Sequence, residues 1–558
     1  MLYLNKFMSY YDYQLTIDKI LNYATSSYPN REIVYWPYNG KRISLTNREF
    51  NNRVRKVASL LLELGVKAGK PSEPGTRVAV LDWNSLRYGE LYYAVPSIGA
   101  TLFTVNVRLA PQEIIYTMNT AKPELLFINI DDFAPLLKPI IENVKSVKAI
   151  IYMSDENKVP NDNFGTKMLN YYDETNKQGE ASFPELDERT PATMLFTSGT
   201  TGLPKGGIHT HRGLVLHSLA TIGAVVQPPI ELRNTDTAMP LVPMYHVHAW
   251  GMPYSLPLAG VKIIYPGKFE WGHMLRLIGE EKVTFTAGVP TILYALLSHP
   301  DSSKYDLHGV KMIIGGAALP KGLLDASTAR GMIVISGYGL TETAPILTIA
   351  HLRPEHMNLS DEEKKNIMLR TGLPVPLVDL RVVDEYDRDV PPDGKTIGEI
   401  AVRSPWLFKE YMGDPEKTRN AWRNGWFHTG DAAVKFEDGY VKIVDRMKDV
   451  VKSGGEWISS LRLEDLISTH PSVAAVAVIG VSHDKWGERP IALVVPKKGQ
   501  QLKEKDIIQH LEQYVTKGVI PKWWLPDKVV ILDELPLTST GKVDKKALRD
   551  KYNNILKQ

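Results

Sequence analysis

The chain has 558 residues, 43% hydrophobic and 23% charged, with 66 basic and 63 acidic side chains giving a formal net charge of +3. This is the composition of a globular chain with several subdomains, and the near-balance of charge gives no reason to expect nucleic acid as a partner. With no cysteine in the sequence, disulfides, thiolate metal sites and a cysteine nucleophile are excluded.

The N-terminus lacks the basic, apolar and small-residue succession of a secretory signal. The expected location is therefore cytoplasmic. Residues 14–26 place Leu15, Ile17, Ile20, Leu21 and Ala24 near one helical face, and 53–64 repeats that spacing. Runs 77–81, 125–130 and 148–153 are short and apolar, read as buried strands, and alternate with helix-like segments. That alternation predicts β/α units with parallel sheets. The longest uncharged stretch, 91–105, is broken by Pro96, Ser97 and Gly99 and is too short to span a bilayer, so no integral membrane segment is expected.

Residues 192–196 read as the end of another strand, and the alternation resumes at 262–265, 283–287, 311–314 and 333–335. Charged residues 361–365 read as a solvated helix face or an exposed insertion. From about 371 the strands shorten: 381–384, 398–403 and 440–444 are separated by turns such as Pro392-Asp393-Gly394, which suggests a small antiparallel or barrel-like piece. The last part reads as a separate α+β unit, with strands at 475–481, 490–495 and 528–532 and a helix near 504–515. The expected fold class is α/β and β, with a large N-terminal domain of several subdomains and a small C-terminal α+β domain.

Between two of these strands stands the most informative segment, Thr197-Ser198-Gly199-Thr200-Thr201-Gly202-Leu203-Pro204-Lys205-Gly206. Glycines let backbone N–H groups approach an anion, hydroxyls donate hydrogen bonds, and the lysine adds a point charge. That chemistry suits a phosphate cradle. It is not the common nucleotide loop G-x-x-x-x-G-K-[ST]: Pro204 stands where the second glycine belongs, and Gly206 follows Lys205.

The segment resembles the phosphate loop of the adenylate-forming enzymes, which include acyl-CoA synthetases, luciferases and the adenylation domains of peptide synthetases. Further segments resemble that family's motifs in its order. Ser336-Gly337-Tyr338-Gly339-Leu340-Thr341-Glu342-Thr343 looks like its aromatic–Gly–x–Thr–Glu motif, and Gly425-Trp426-Phe427-His428-Thr429-Gly430-Asp431 like its ribose motif. Asp445-Arg446-Met447-Lys448-Asp449 resembles the hinge, followed by Lys452-Ser453-Gly454-Gly455-Glu456, and Pro536-Leu537-Thr538-Ser539-Thr540-Gly541-Lys542 resembles the C-terminal catalytic-lysine motif.

The resemblance implies that a carboxylic acid attacks the α-phosphorus of Mg·ATP, and that the acyl group then passes to a thiol, CoA. ATP would be held by Thr197, Ser198, Gly199, Thr200, Thr201, Gly202 and Lys205 at the β,γ-phosphates. Gly316, Ala317, Ser336, Gly337, Tyr338 and Thr341 would lie around the adenine side, and Asp431 and Arg446 at the ribose. Glu342 is the implied Mg²⁺ ligand, since hard cations take carboxylate oxygens, with Thr197 as its partner. Lys542 would bridge the attacking carboxylate and the α-phosphate. Lys452, Ser453, Gly454 and Gly455 would face CoA, and Lys448 would be the pivot between a 1–445 domain and a mobile 446–558 domain.

Val242-Pro243-Met244-Tyr245-His246-Val247-His248-Ala249-Trp250 resembles the gate segment of fatty acyl-CoA synthetases. His246 and His248 could be read as a metal pair, but no cysteine or third ligand at suitable spacing accompanies them, and zinc is disfavoured. The resemblance instead puts His246 near the α-phosphate and acyl group, and Trp250 at the acyl tunnel. It also implies that Gly339 leaves out a tryptophan plug carried by acetate-specific relatives, so a longer acid should fit. The closest likeness, on the gate segment, on 454–460 and on Trp486-Gly487-Glu488-Arg489-Pro490, is to medium- and long-chain fatty acyl-CoA ligases. The expected partners are small molecules: the acid, ATP and CoA. A homodimer is left open. The competing readings are a ligase for a short-chain, hydroxy or sulfur-containing acid, and a free-standing adenylation enzyme loading a carrier protein. The carrier reading is disfavoured because no attached carrier follows Lys542. A luciferase-like oxidase and a degenerate binding homologue are disfavoured further.

Overall fold

The structure, a computed structural model, describes residues 11–197, 203–454, 456–536 and 543–557. Its described residues form two compact units, one built from 11–197, 204–378 and 404–418, the other from Leu203 and the described residues of 379–403 and 419–557.

The first unit carries two sheets. In spatial order one of them runs Lys167–Asn170, Ala149–Met153, Leu125–Asn129, Arg77–Leu81, Thr101–Thr104, Pro191–Phe196 and Gly206–Thr210. Its neighbours are parallel except for the last pair, an antiparallel hairpin. Val78, Ala79, Val80 and Leu81 are wholly buried, as a parallel strand covered on both faces requires. The second sheet has a parallel centre (Phe285–Gly288, Lys311–Ile314 and the start of Ile333–Gly339) and antiparallel ends. The strand expected at 333–335 therefore continues to Gly339, where it changes partner from Lys311–Ile314 to Ile346–Ile349.

Two helices show how local chemistry sets boundaries. Helix Asn47–Glu63 starts earlier than the apolar spacing suggests, because Thr46 and Glu49 form a capping box: the Glu49 N–H donates to Thr46 Oγ1 and the Thr46 N–H to Glu49 Oε2. Helix Leu86–Ser97, whose second half begins the long uncharged stretch, is buried on every side. Its two charged residues are paired there, Arg87 with Asp155 at 2.7 Å and Glu90 with Arg53 at 2.5 Å. No helix among the described residues is long and apolar enough to cross a membrane.

The second unit also has two sheets. The antiparallel one comprises Asp379–Val383, Gly398–Arg403, Trp426–Lys435, Trp422–Arg423 and Val441–Arg446. The other comprises Glu456–Ile458, Val451–Ser453, Gly487–Pro496 and Val473–His483, with Lys528–Ile531 parallel to Gly487–Pro496. In Val473–His483, Val478 packs with helices Ser460–Ser468 and Glu504–Thr516, while Ala477, Ile479 and Val481 pack with Leu548 of helix Lys545–Tyr552. The period-two alternation of a strand thus feeds two apolar layers.

Candidate active site

In the first unit the hydroxyl- and glycine-rich segment connects the strands of the hairpin Pro191–Phe196 and Gly206–Thr210. The Thr197 N–H donates to the Lys205 carbonyl at 2.8 Å, and the Lys205 N–H to Thr197 Oγ1 at 3.3 Å. These two expected phosphate ligands close the base of the loop. Ser198, Gly199, Thr200, Thr201 and Gly202 lie outside the described residues. The Lys205 ammonium makes an ion pair with Asp414, which holds the Asp414 carboxyl below the usual range.

Glu342 receives a hydrogen bond from the Tyr411 hydroxyl at 2.7 Å. Lys417 sits over the Tyr411 ring at 3.8 Å, and burial pushes its ammonium down while the Glu342 charge opposes that shift. Burial and the Glu342 charge push the Tyr411 phenol far up, so it stays a donor. Tyr411, Asp414 and Lys417 belong to none of the sequence motifs. Nothing in a single sequence marks them, since their partners stand 69 and 209 residues away.

Ser336, Gly337 and Tyr338 stand on strand Ile333–Gly339, with Tyr338 only 9% exposed. Gly316 and Ala317 are exposed just beyond strand Lys311–Ile314, and Gly316 has φ +74°. A Cβ on Gly315 would lie 2.9 Å from both Trp250 Cη2 and the Gly337 carbonyl oxygen. The gate-like segment, the 315–317 segment and the 336–338 segment therefore converge. Trp250 is presented by a left-handed turn, in which Val247, His248, Ala249, Trp250 and Gly251 have φ of 35°, 59°, 45°, 56° and 78°. Such backbone costs about 1–2 kcal/mol per non-glycine residue and persists only where surrounding contacts impose it. Thr193 Oγ1 and buried His248 Nε2 share one such contact at 2.7 Å. His246 precedes the turn, with its carbonyl accepting from the Ala249 N–H.

Gly339 calls for a correction. A Cβ there would overlap the Pro345 carbonyl, and Ile346 Cα would lie 3.1 Å away. The missing side chain makes room for backbone, not for an acyl chain, so a plug at 339 has no open space to fill.

Beneath these segments lie neutral histidines. His209 Nε2 donates to the Thr341 carbonyl at 3.0 Å, and His217 Nε2 accepts from the Ile346 N–H at 3.1 Å. Burial lowers His209 to about 4 and His217 to about 3. Such groups leave stability intact above the unfolded value near 6.5, and stability falls as pH drops from there toward the folded value, because the unfolded chain then binds more protons. The stability difference between the native chain and His209→Gln is expected to shrink by about 2 kcal/mol from pH 7 to pH 5. Urea unfolding at the two pH values measures it; an unchanged difference would show that burial does not hold His209 neutral.

In the second unit Asp431 and Arg446 stand directly opposite each other on the paired strands Trp426–Lys435 and Val441–Arg446. Arg446 Nε lies 2.8 Å from Asp431 Oδ1, and the Asp431 side chain is 3% exposed. The turn expected at 438–439 brings these two residues together. Lys448 is exposed in the turn after Arg446, where the Asp449 and Val450 N–H groups both donate to the Arg446 carbonyl. Lys452 and Ser453 end strand Val451–Ser453, and Gly454 follows with φ +61°. Gly455 and Lys542 lie outside the described residues.

Comparison with known proteins agrees with the motif order. The AMP-binding enzyme family matches residues 21–412, and the AMP-binding enzyme C-terminal domain matches 462–542. The long-chain-fatty-acid–CoA ligase of Thermus thermophilus is 40% identical, with 97% of this chain aligned to 96% of that protein. A 3-methylmercaptopropionyl-CoA ligase of Ruegeria lacuscaerulensis is 36% identical over 97% of this chain and 98% of its own. Among solved structures, ATP-bound MatB of Rhodopseudomonas palustris superposes with TM-score 0.78 at 27% identity, over 97% of this chain and 100% of that one.

Proposed function

This chain belongs to the AMP-binding enzyme family as an AMP-forming acyl-CoA ligase, and we propose that the acid it activates is a medium- to long-chain fatty acid. The observation that carries the chain length is the near full-length likeness to the Thermus long-chain ligase. In the first step the carboxylate oxygen bonds to the α-phosphorus and pyrophosphate leaves. In the second the CoA sulfur bonds to the acyl carbon and AMP leaves.

Two anions must meet in the first step, so the site has to supply donors and positive charge. Lys205 and the segment from Thr197 to Gly202 serve the leaving phosphates. Glu342 and Thr197 offer the hard oxygens that Mg²⁺ takes, and Tyr411 orients the Glu342 carboxylate by its hydrogen bond. Bound there, Mg²⁺ would supply charge against the phosphates. Asp431 accepts from the ribose hydroxyls. Trp250 lines the acid's path beside Gly315, and His246 stands near the reacting groups. Lys542 brings a cation to the attacking carboxylate. Residues 446–558 form the mobile domain, turning at Lys448 to exchange Lys542 for the CoA-facing 452–455.

A second reading, a short sulfur-containing or hydroxy acid, draws on the Ruegeria relative. An acid panel decides. Thioester formation with octanoate or palmitate should exceed that with acetate, 4-hydroxybutyrate and 3-methylmercaptopropionate by about tenfold or more, the discrimination that a few methylenes in an apolar pocket give. A preference for 3-methylmercaptopropionate would overturn the fatty-acid reading, and transfer to a carrier protein but not to CoA would replace the thiol.

A further inference from the structure

The strand entrance Trp486–Arg489 holds each residue of 452–454. Glu488 Oε2 accepts from the Lys452 N–H at 2.9 Å, Ser453 pairs in register with Gly487, and the Gly454 N–H donates to the Trp486 carbonyl at 2.8 Å. A Cβ on Gly454 would come within 2.9 Å of Trp486 Cε3, so the backbone rests directly on the indole. Arg489 Nη1 donates to Ser453 Oγ at 3.1 Å, and Ser453 is 5% exposed.

Arg489 is not an ordinary surface cation. Its side chain is 11% exposed. Nε and Nη2 donate to Asp527 Oδ1 at 2.9 and 2.6 Å, Nη1 also to the Trp523 carbonyl at 2.9 Å, and Nη2 to the Leu525 carbonyl at 3.2 Å. A planar guanidinium fixed at so many points has one orientation, and that orientation aims Nη1 at Ser453. None of these bonds involves a residue assigned above to ATP or to the acid.

We propose that Arg489 is a positioning residue for the thioester-forming step. Anchored by Asp527, it holds Ser453, and with Glu488 it sets the course of 452–454 where the CoA arm must pass. This rests on the assignment of 452–455 to CoA in the proposed function.

The test separates the two half-reactions. ATP–pyrophosphate exchange with the preferred acid reports the first, and thioester formation at varied CoA the second. Arg489→Gln should leave exchange within about twofold while kcat/KM for CoA falls about tenfold to a hundredfold, the cost of a small misplacement of a contact group. Arg489→Lys, which keeps the charge but not the fork, should fail similarly. Ser453→Ala should show the same CoA defect, and the Arg489→Gln/Ser453→Ala pair should cost no more than the worse single change, since both remove the Arg489–Ser453 bond that they share. Equal loss in exchange and thioester formation, no loss in either, or additive effects of the pair would overturn the proposal. A native chain that exchanges pyrophosphate but makes no thioester with CoA would overturn the CoA assignment, and the brace with it. A native chain that makes thioester beside an unaffected Arg489→Gln would overturn the brace alone.

Discussion

Lys542→Ala is expected to lower acyl-adenylate formation by about 10²–10³-fold while ATP still binds. A lysine beside the attacking carboxylate and the α-phosphate offsets charge that develops only as the oxygen–phosphorus bond forms. Losing it therefore costs transition-state stabilisation and spares ground-state affinity. Lys542 itself is outside the described residues, but its flanks are fixed: the Asp544 N–H donates to the Pro536 carbonyl at 2.8 Å, and the Asp544 side chain caps helix Lys545–Tyr552 through the Ala547 N–H. Removing the ammonium leaves both bonds intact, so the variant should fold. Thioester formation from supplied acyl-adenylate should persist, because the proposed mechanism uses Lys542 in the first step alone. Pyrophosphate exchange and the supplied-adenylate assay measure the two halves. Equal losses in both would refute the two-conformation account.

The sequence made the fold legible where burial is two-sided. The strands at 77–81, 125–129 and 149–153 stand as continuous apolar runs because helices cover both faces of their sheet. The beginning of helix Asn47–Glu63 was hidden because its first turn is polar and its signal is the Thr46–Glu49 capping box, not apolar spacing. The Asp431–Arg446 pair was legible because one hairpin turn fixes which residues stand opposite. Tyr411, Asp414 and Lys417 were not, because they meet Glu342 and Lys205 only through tertiary folding. Gly339 misled for a related reason. A glycine in a sequence reads as empty space, and only the folded chain shows that the Pro345 carbonyl fills it.

Lys448→Pro is expected to pass the first half-reaction and stall the second. Strand Val441–Arg446 ends in a tight turn whose Asp449 and Val450 N–H groups converge on the Arg446 carbonyl, and Asp449 is tied to Arg549 at 2.7 Å. A rotation of 446–558 about residue 448 changes the dihedrals of Met447 and Lys448 and so opens those two hydrogen bonds, while the Asp449–Arg549 pair travels with the moving part. Proline fixes its own φ near −65° and keeps the preceding residue out of the α region, so it denies the turn a second set of dihedrals at both positions. Lys448 is exposed, so the substitution removes little packing and the protein should fold. Pyrophosphate should then appear as a burst of about one equivalent, with acyl-adenylate accumulating on the enzyme and acyl-CoA formation slowed. Quench-flow measurement of both products follows this directly. A folded Lys448→Pro enzyme that makes acyl-CoA at the native steady-state rate would move the pivot away from residue 448.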